Sequence, residues 1–220
     1  MGIGLRRVLK SGLRKQPIKT QFPYQDILAD IQKEWDEAEE AIKRSEQIAL
    51  DVSIPAISEL RYAGRRIIDA LNEAHTGNSL QKVRAFLEDA RFCCHRARHD
   101  AMDAAFAKIA IDLDNLTNRL GYDAVISAFP RFQDFYADFA KARIAIAASR
   151  GKRENRNEIY NTIITVDFPD LAKRYADLLT CLPIAKAFSA KRRMARIAWW
   201  VMLVITAASL LVAVIQTVKS

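Results

Sequence analysis

The sequence predicts an all-α protein: an elongated antiparallel helical bundle with a single C-terminal transmembrane helix. Three observations carry that prediction. Apolar residues recur at three-, four- and seven-residue steps through most of the chain, which is the spacing of a helix face. Gly and Pro number only 7 and 6 in 220 residues, too few breakers for a many-stranded protein. Residues 197–218 read IAWWVMLVITAASLLVAVIQTV and carry no charge. As a helix that run rises about 33 Å, enough to cross a hydrocarbon core of about 30 Å.

Residues 1–23 form a basic arm. Its cations are Arg6, Arg7, Lys10, Arg14, Lys15 and Lys19, with no acid among them. On a helical projection Leu5, Val8, Leu9 and Leu13 gather on one side, so the arm can form an amphipathic interfacial helix. Gly4 and Gly12 oppose that helix, and a disordered basic arm is the alternative. The arm lacks the continuous apolar core of a signal peptide. Arg6 stands where a myristoylation signal needs Ser or Thr. Pro17 and Pro23 bracket a short linker.

The body is expected over residues 24–185. A first helix spans about Tyr24–Leu50, with Ile27, Ile31, Trp35, Ala38, Ile42 and Ala49 as its buried stripe. Glu34, Asp36, Glu37, Glu39 and Glu40 are expected mainly on its solvent side. A second helix starts at Ser53 as N-cap with Pro55 in its first turn. Its expected apolar face is Ile57, Leu60, Ile67, Ile68 and Leu71, and Gly77 stops it. The short link Thr76–Gly77–Asn78 makes the next helix antiparallel.

That third helix runs from about Ser79 to Leu120. Its stripe passes through Leu80, Val83, Leu87, Ala90, Cys94, Ala97, Ala101, Ala105, Ile109, Leu113, Leu116 and Leu120. At roughly 60 Å it is long enough that a bend or break is expected. Residues 122–150 are helical around Pro130, with Phe129, Phe132, Phe135, Tyr136 and Phe139 as core aromatics. Residues 149–157, SRGKRENRN, form a loop. A helix follows from about Glu158, broken or restarted at Phe168–Pro169, with Leu171, Tyr175, Leu178 and Leu179 facing inward. Ile163–Val166 is briefly strand-like but too short to count as a strand. Pro183 is expected to kink the chain before the basic stretch 186–196.

The formal charge of +8 is unevenly spread. Twelve of the 34 cations sit in the two basic ends and at Lys219, while all 26 acids lie between those ends. The body is therefore mildly acidic, which disfavours a DNA-binding domain and favours basic ends on anionic lipid. Lys191, Arg192, Arg193 and Arg196, then Trp199 and Trp200, mark the membrane interface. The cationic side is kept in the cytoplasm, so a tail-anchored protein of a bacterial inner membrane is expected. The small residues Ala207, Ala208 and Ser209 allow the spans to approach one another. Cys93, Cys94 and Cys181, odd in number and two of them adjacent, fit a reducing compartment.

One segment is chemically dense: Arg91, Cys93, Cys94, His95, Arg96, Arg98, His99 and Asp100, then Asp103. On a helix Arg91, His95, His99 and Asp103 share a face. His95 and His99, with Asp103, are candidate zinc ligands by their i,i+4 spacing. Arg96 and Ala97 follow His95, so the metalloprotease pattern is not met. Arg91, His95 and His99 are candidate catalytic residues. In its helical context the segment resembles the HEPN ribonucleases, bundle enzymes in which four to six residues separate an Arg from a His. That resemblance implies a membrane-bound ribonuclease. The spacing departs from the family's: three residues separate Arg91 from His95, and seven separate it from His99. The simplest reading is a charged helix face with pairs such as Arg91–Glu88 and Arg96–Asp100 and with Cys94 in the core.

The function expected from the sequence is a membrane-tethered interaction or effector protein that self-associates and has no catalytic activity of its own. The alternatives are the HEPN-like ribonuclease and a membrane-disrupting effector of a toxin or phage-defence system. No cofactor is expected. The expected partners are anionic lipid and a protein or second copy, with nucleic acid left open.

Overall fold

The computed structural model describes residues 24–77, 79–151 and 153–219, and the predicted arm over residues 1–23 lies outside them. The protein is all-α, 92% helical and without strands among the described residues. Three helices form the first half: α1 (Gln25–Ala49), α2 (Ile54–Thr76) and α3 (Leu80–Leu120). Their ends follow local chemistry. The Ser79 hydroxyl accepts the Lys82 amide at 3.3 Å and starts α3. Gly77 (φ 66°) and Gly121 (φ 84°) take the left-handed turns that end α2 and α3. Leu50 ends α1 in the same region at φ 52°.

Charged pairs give the directions of these helices. Asp30–Arg91, Glu34–His95 and Glu37–Arg98 keep a constant offset of 61 residues, so α1 runs parallel to α3. Glu73–Lys82, Arg66–Asp89 and Glu59–Arg96 step back by seven on α2 while advancing by seven on α3, so α2 is antiparallel. The step of seven is the coiled-coil repeat. It also governs the apolar seam. Ala56, Ala63 and Ala70 on α2, and Val83, Ala90 and Ala97 on α3, are each at most 1% exposed.

This corrects the expected face of α2. Leu60 is buried, but Ile57, Ile68 and Leu71 are 44%, 54% and 53% exposed. Small residues won the seam because they let two helix backbones come close, and the bulky residues were turned outward. Ala63→Leu should therefore wedge α2 off α3 and cost about 3 kcal/mol, at the upper end of overpacking penalties. Chemical denaturation of the full chain would show it; a change below about 0.5 kcal/mol would contradict the close seam.

Several other expectations change. Glu34 turns inward to meet Arg98 instead of facing solvent, and Glu37 reaches the same guanidinium from the edge with 40% of its side chain exposed. Leu80 is 72% exposed. No break interrupts α3, which has neighbours along its whole length: α1 and α2 first, then the helices that follow. Arg91–Glu88 forms at 2.8 Å, whereas Arg96 pairs with Glu59 at 3.0 Å and not with Asp100.

The second half packs on the C-terminal part of α3. It comprises α4 (Tyr122–Ala128), α5 (Phe132–Ser149), α6 (Arg156–Thr162) and α7 (Phe168–Thr180). Phe106 of α3 stacks on Phe139 at 5.4 Å, and Phe132, Phe135 and Phe168 complete an aromatic core. Tyr136 is 43% exposed and lies outside it. The short strand-like sequence forms a π-helical turn, Ile163–Asp167, just before Pro169. The wider turn suits Pro169, which has no amide to give and whose ring crowds the carbonyl four residues earlier. Finally, α8 (Leu182–Lys219) runs as one helix through the basic stretch. Pro183 sits in its first turn and starts it without a kink, since no helical bond is lost there.

Candidate functional site: a buried polar chamber

Residues 95–99 of α3 lie where α1 and α6 both cover the helix, and there the core is charged. Arg98 is 2% exposed and His99 is 3% exposed. The Arg98 guanidinium donates to Glu37 and lies 3.3 Å from Glu34. Glu34 also lies 3.5 Å from His95 Nδ1. One acid on α1 thus links a guanidinium and an imidazole on α3. On the α6 side the His99 ring lies against Tyr160, with centroids 4.0 Å apart, and the Asn157 side chain beside it is an acceptor that favours the charged imidazole.

Burial sets the electrostatics. Burial, with the Arg98 and Arg91 guanidiniums nearby, pushes His95 down to about 4. Burial, with Arg156 and Arg98, pushes His99 down to about 3. Burial and its bond to Asp103 push the Tyr160 hydroxyl up to about 12. Both imidazoles are therefore neutral at neutral pH, and the charge of Arg98 is balanced by Glu34 and Glu37. A general acid or base works best with a pKa near the operating pH, and these two are far below it.

Among the described residues several polar atoms of the chamber have no hydrogen-bond partner: Nε and Nη2 of Arg98, Nε2 of His99 and Nε of Arg156. Buried polar groups normally find one, in protein or in ordered water. A cleft of about 750 Å³ opens beside the chamber, walled by Glu37 and Glu40 of α1, Arg98 of α3, and Ile164 and Thr165 of the π turn.

The structure distributes the sequence candidates over three places. Arg91 and His95 share a shallow cleft of about 290 Å³ with Phe92 and Asn157. His99 lies deeper, against Tyr160. Asp103 is engaged on both oxygens, by Tyr160 at 2.6 Å and by Arg150 at 3.1 Å. Among the described residues no group of three or more His, Cys, Asp or Glu converges to hold a metal ion. Arg98, Glu34, Glu37 and Tyr160 were not singled out from the sequence as a site.

Lys191, Arg192, Arg193, Arg196, Trp199 and Trp200, expected from the sequence at a membrane interface, all lie exposed on α8. Arg192 pairs with Asp123 of α4 at 2.6 Å, and the two indoles meet edge-on at 5.1 Å. The chain matches no protein-family model, no curated protein and no solved structure.

Proposed function

We propose that the chain is a single-pass membrane protein whose helical body stands on the cytoplasmic face of a bacterial inner membrane and acts there by association, including with further copies of itself. The observation behind this reading is the bare outer part of α8. It is the one described helix long and apolar enough to cross a membrane, and none of its apolar window is buried. Val201, Met202, Leu203, Val204, Ile205 and Leu210 are each 43–63% exposed. A contiguous apolar surface of that length is unfavourable in water and favourable in lipid. The cations at Lys191–Arg196 favour the cytoplasmic side for the body.

Association is supported by the outer face of α2. Ile54, Ile57, Ile68 and Leu71 are 44–69% exposed along it, and none of them is used by the body. Anchoring in one plane raises the effective concentration at which two such faces meet.

Fractionation tests the reading. The full chain should pellet with membranes and resist alkaline carbonate, and a chain ending at Arg196 should be soluble. Cross-linking should trap dimers of the full chain, and Ile68→Asp should remove them while leaving the protein in the membrane. A full chain recovered in the soluble fraction would overturn the proposal.

A further inference from the structure

We propose a binding site for the headgroup of one anionic phospholipid, built between the α3–α4 corner and α8; it rests on the membrane reading above. A cleft of about 650 Å³ separates these elements, a volume in the range of small-molecule sites. On α8 its wall is Ser189, Arg192, Arg196 and Trp199, spaced three, four and three apart and therefore on one face. On the body its wall is Leu120, Gly121, Tyr122 and Asp123. Gly121 takes φ +84°, and a Cβ there would meet nothing within 4 Å, so the corner leaves the cleft open.

Position and charge point to the ligand. The cleft lies at the last turns of α8 before its bare apolar run, with Trp199 at its outer edge, where indoles sit at the lipid–water boundary. Arg192 is committed to Asp123 at 2.6 Å. Arg196 makes no ion pair among the described residues, so its guanidinium is available to a phosphate. Ser189, Tyr122 and Trp199, each with a hydrogen-bond donor on its side chain, line the same space. Asp123 offsets the charge of Arg192 at the edge of the cleft. With Arg192 offset by Asp123, the cleft keeps one uncompensated guanidinium, that of Arg196, which repels the cationic end of a zwitterionic headgroup and accepts one whose phosphate charge is not compensated.

The site separates from a diffuse cationic collar because Arg193, the neighbour of Arg192, does not line the cleft. The experiment uses the full chain inserted in nanodiscs of phosphatidylglycerol and phosphatidylcholine, released into detergent and weighed by native mass spectrometry. Wild type should retain one phosphatidylglycerol. Arg196→Gln should lower that retention about tenfold, Arg196→Lys should restore part of it, and Arg193→Gln should leave it unchanged. Equal loss in Arg193→Gln and Arg196→Gln, or equal retention of phosphatidylcholine, would overturn the site. So would displacement of the lipid by millimolar inorganic phosphate, which would reassign the cleft to a free anion. The membrane reading fails separately: wild type would then not insert into the nanodisc, whereas failure of the site alone leaves every variant inserted.

Discussion

Arg98→Met should destabilise the protein by about 3 kcal/mol, with most of the cost falling on the acid left behind. Arg98 is 2% exposed and its nearest charges are Glu34 and Glu37 of α1. The two acids are not equivalent. Glu37 keeps 40% of its side chain exposed and also lies 3.9 Å from Lys33, so it can rehydrate when the cation goes. Glu34 keeps only 20%, and its remaining neighbour is a neutral imidazole. Breaking a buried pair from one side typically costs 3–5 kcal/mol, because an uncompensated charge remains in the core. The partial exposure of Glu34 places this case at the lower end. Arg98→Met combined with Glu34→Gln should then recover at least half of the loss, since no charge is stranded. Chemical denaturation of the full chain in detergent, followed by far-UV circular dichroism, gives both numbers. A single variant as stable as wild type would show that the pair does not hold α1 to α3.

The same residues explain how far the sequence could be read. The helices were legible because their stripes are long and their breakers few. Directions in the first half followed from the short link at Gly77. The seam of α2 was misread because isoleucine and leucine outweigh alanine in any hydrophobic count, and packing distance is not a property of one helix. Ala56, Ala63 and Ala70 do keep the seven-residue step, and so do Ala90 and Ala97. Matching those two series would have found the seam. Of the bulky residues expected there, Leu60 is buried, while Ile57, Ile68 and Leu71 are turned to solvent.

The chamber left one signal in the sequence. Ile27, Ile31, Ala38 and Ile42 mark a stripe on α1, and Glu34 occupies a slot within it. An acid in a core slot requires a cation on the facing helix, and Arg98 supplies it. The other half was not legible. Residues 156–160 reach His99 only because α6 folds back over the middle of α3, a relation between segments about sixty residues apart. The π turn before Pro169 was also hidden, because its β-branched residues resemble a strand when read locally. Tertiary crowding at proline decided the matter.

Acidification should weaken the body well before its carboxylates are fully protonated. Unfolded histidine takes up a proton near pH 6.5. In the folded protein His95 does so only near 4 and His99 only near 3. Above pH 7 both are neutral whether the chain is folded or not, and they cause no loss. Between pH 6.5 and 4 the unfolded chain holds more protons than the folded one, so stability falls as pH falls. The expected slope is about 1 kcal/mol per pH unit for each histidine, which is large against a total stability of about 5–15 kcal/mol. The surroundings oppose protonation on most sides. His95 faces Arg91 and Arg98 on its own helix, and only Glu34 and Glu37 of α1 favour its charged form. His99 faces Arg156 and Tyr160 of α6 as well as Arg98, with no acid in contact. His99→Phe keeps a flat ring against Tyr160 and removes the titration. It should cut the slope between pH 6.5 and 5 by about half, and adding His95→Gln should nearly flatten it. If the double variant kept the wild-type slope, acid sensitivity would have to arise elsewhere, and the chamber would not be what ties α1, α3 and α6 together at neutral pH.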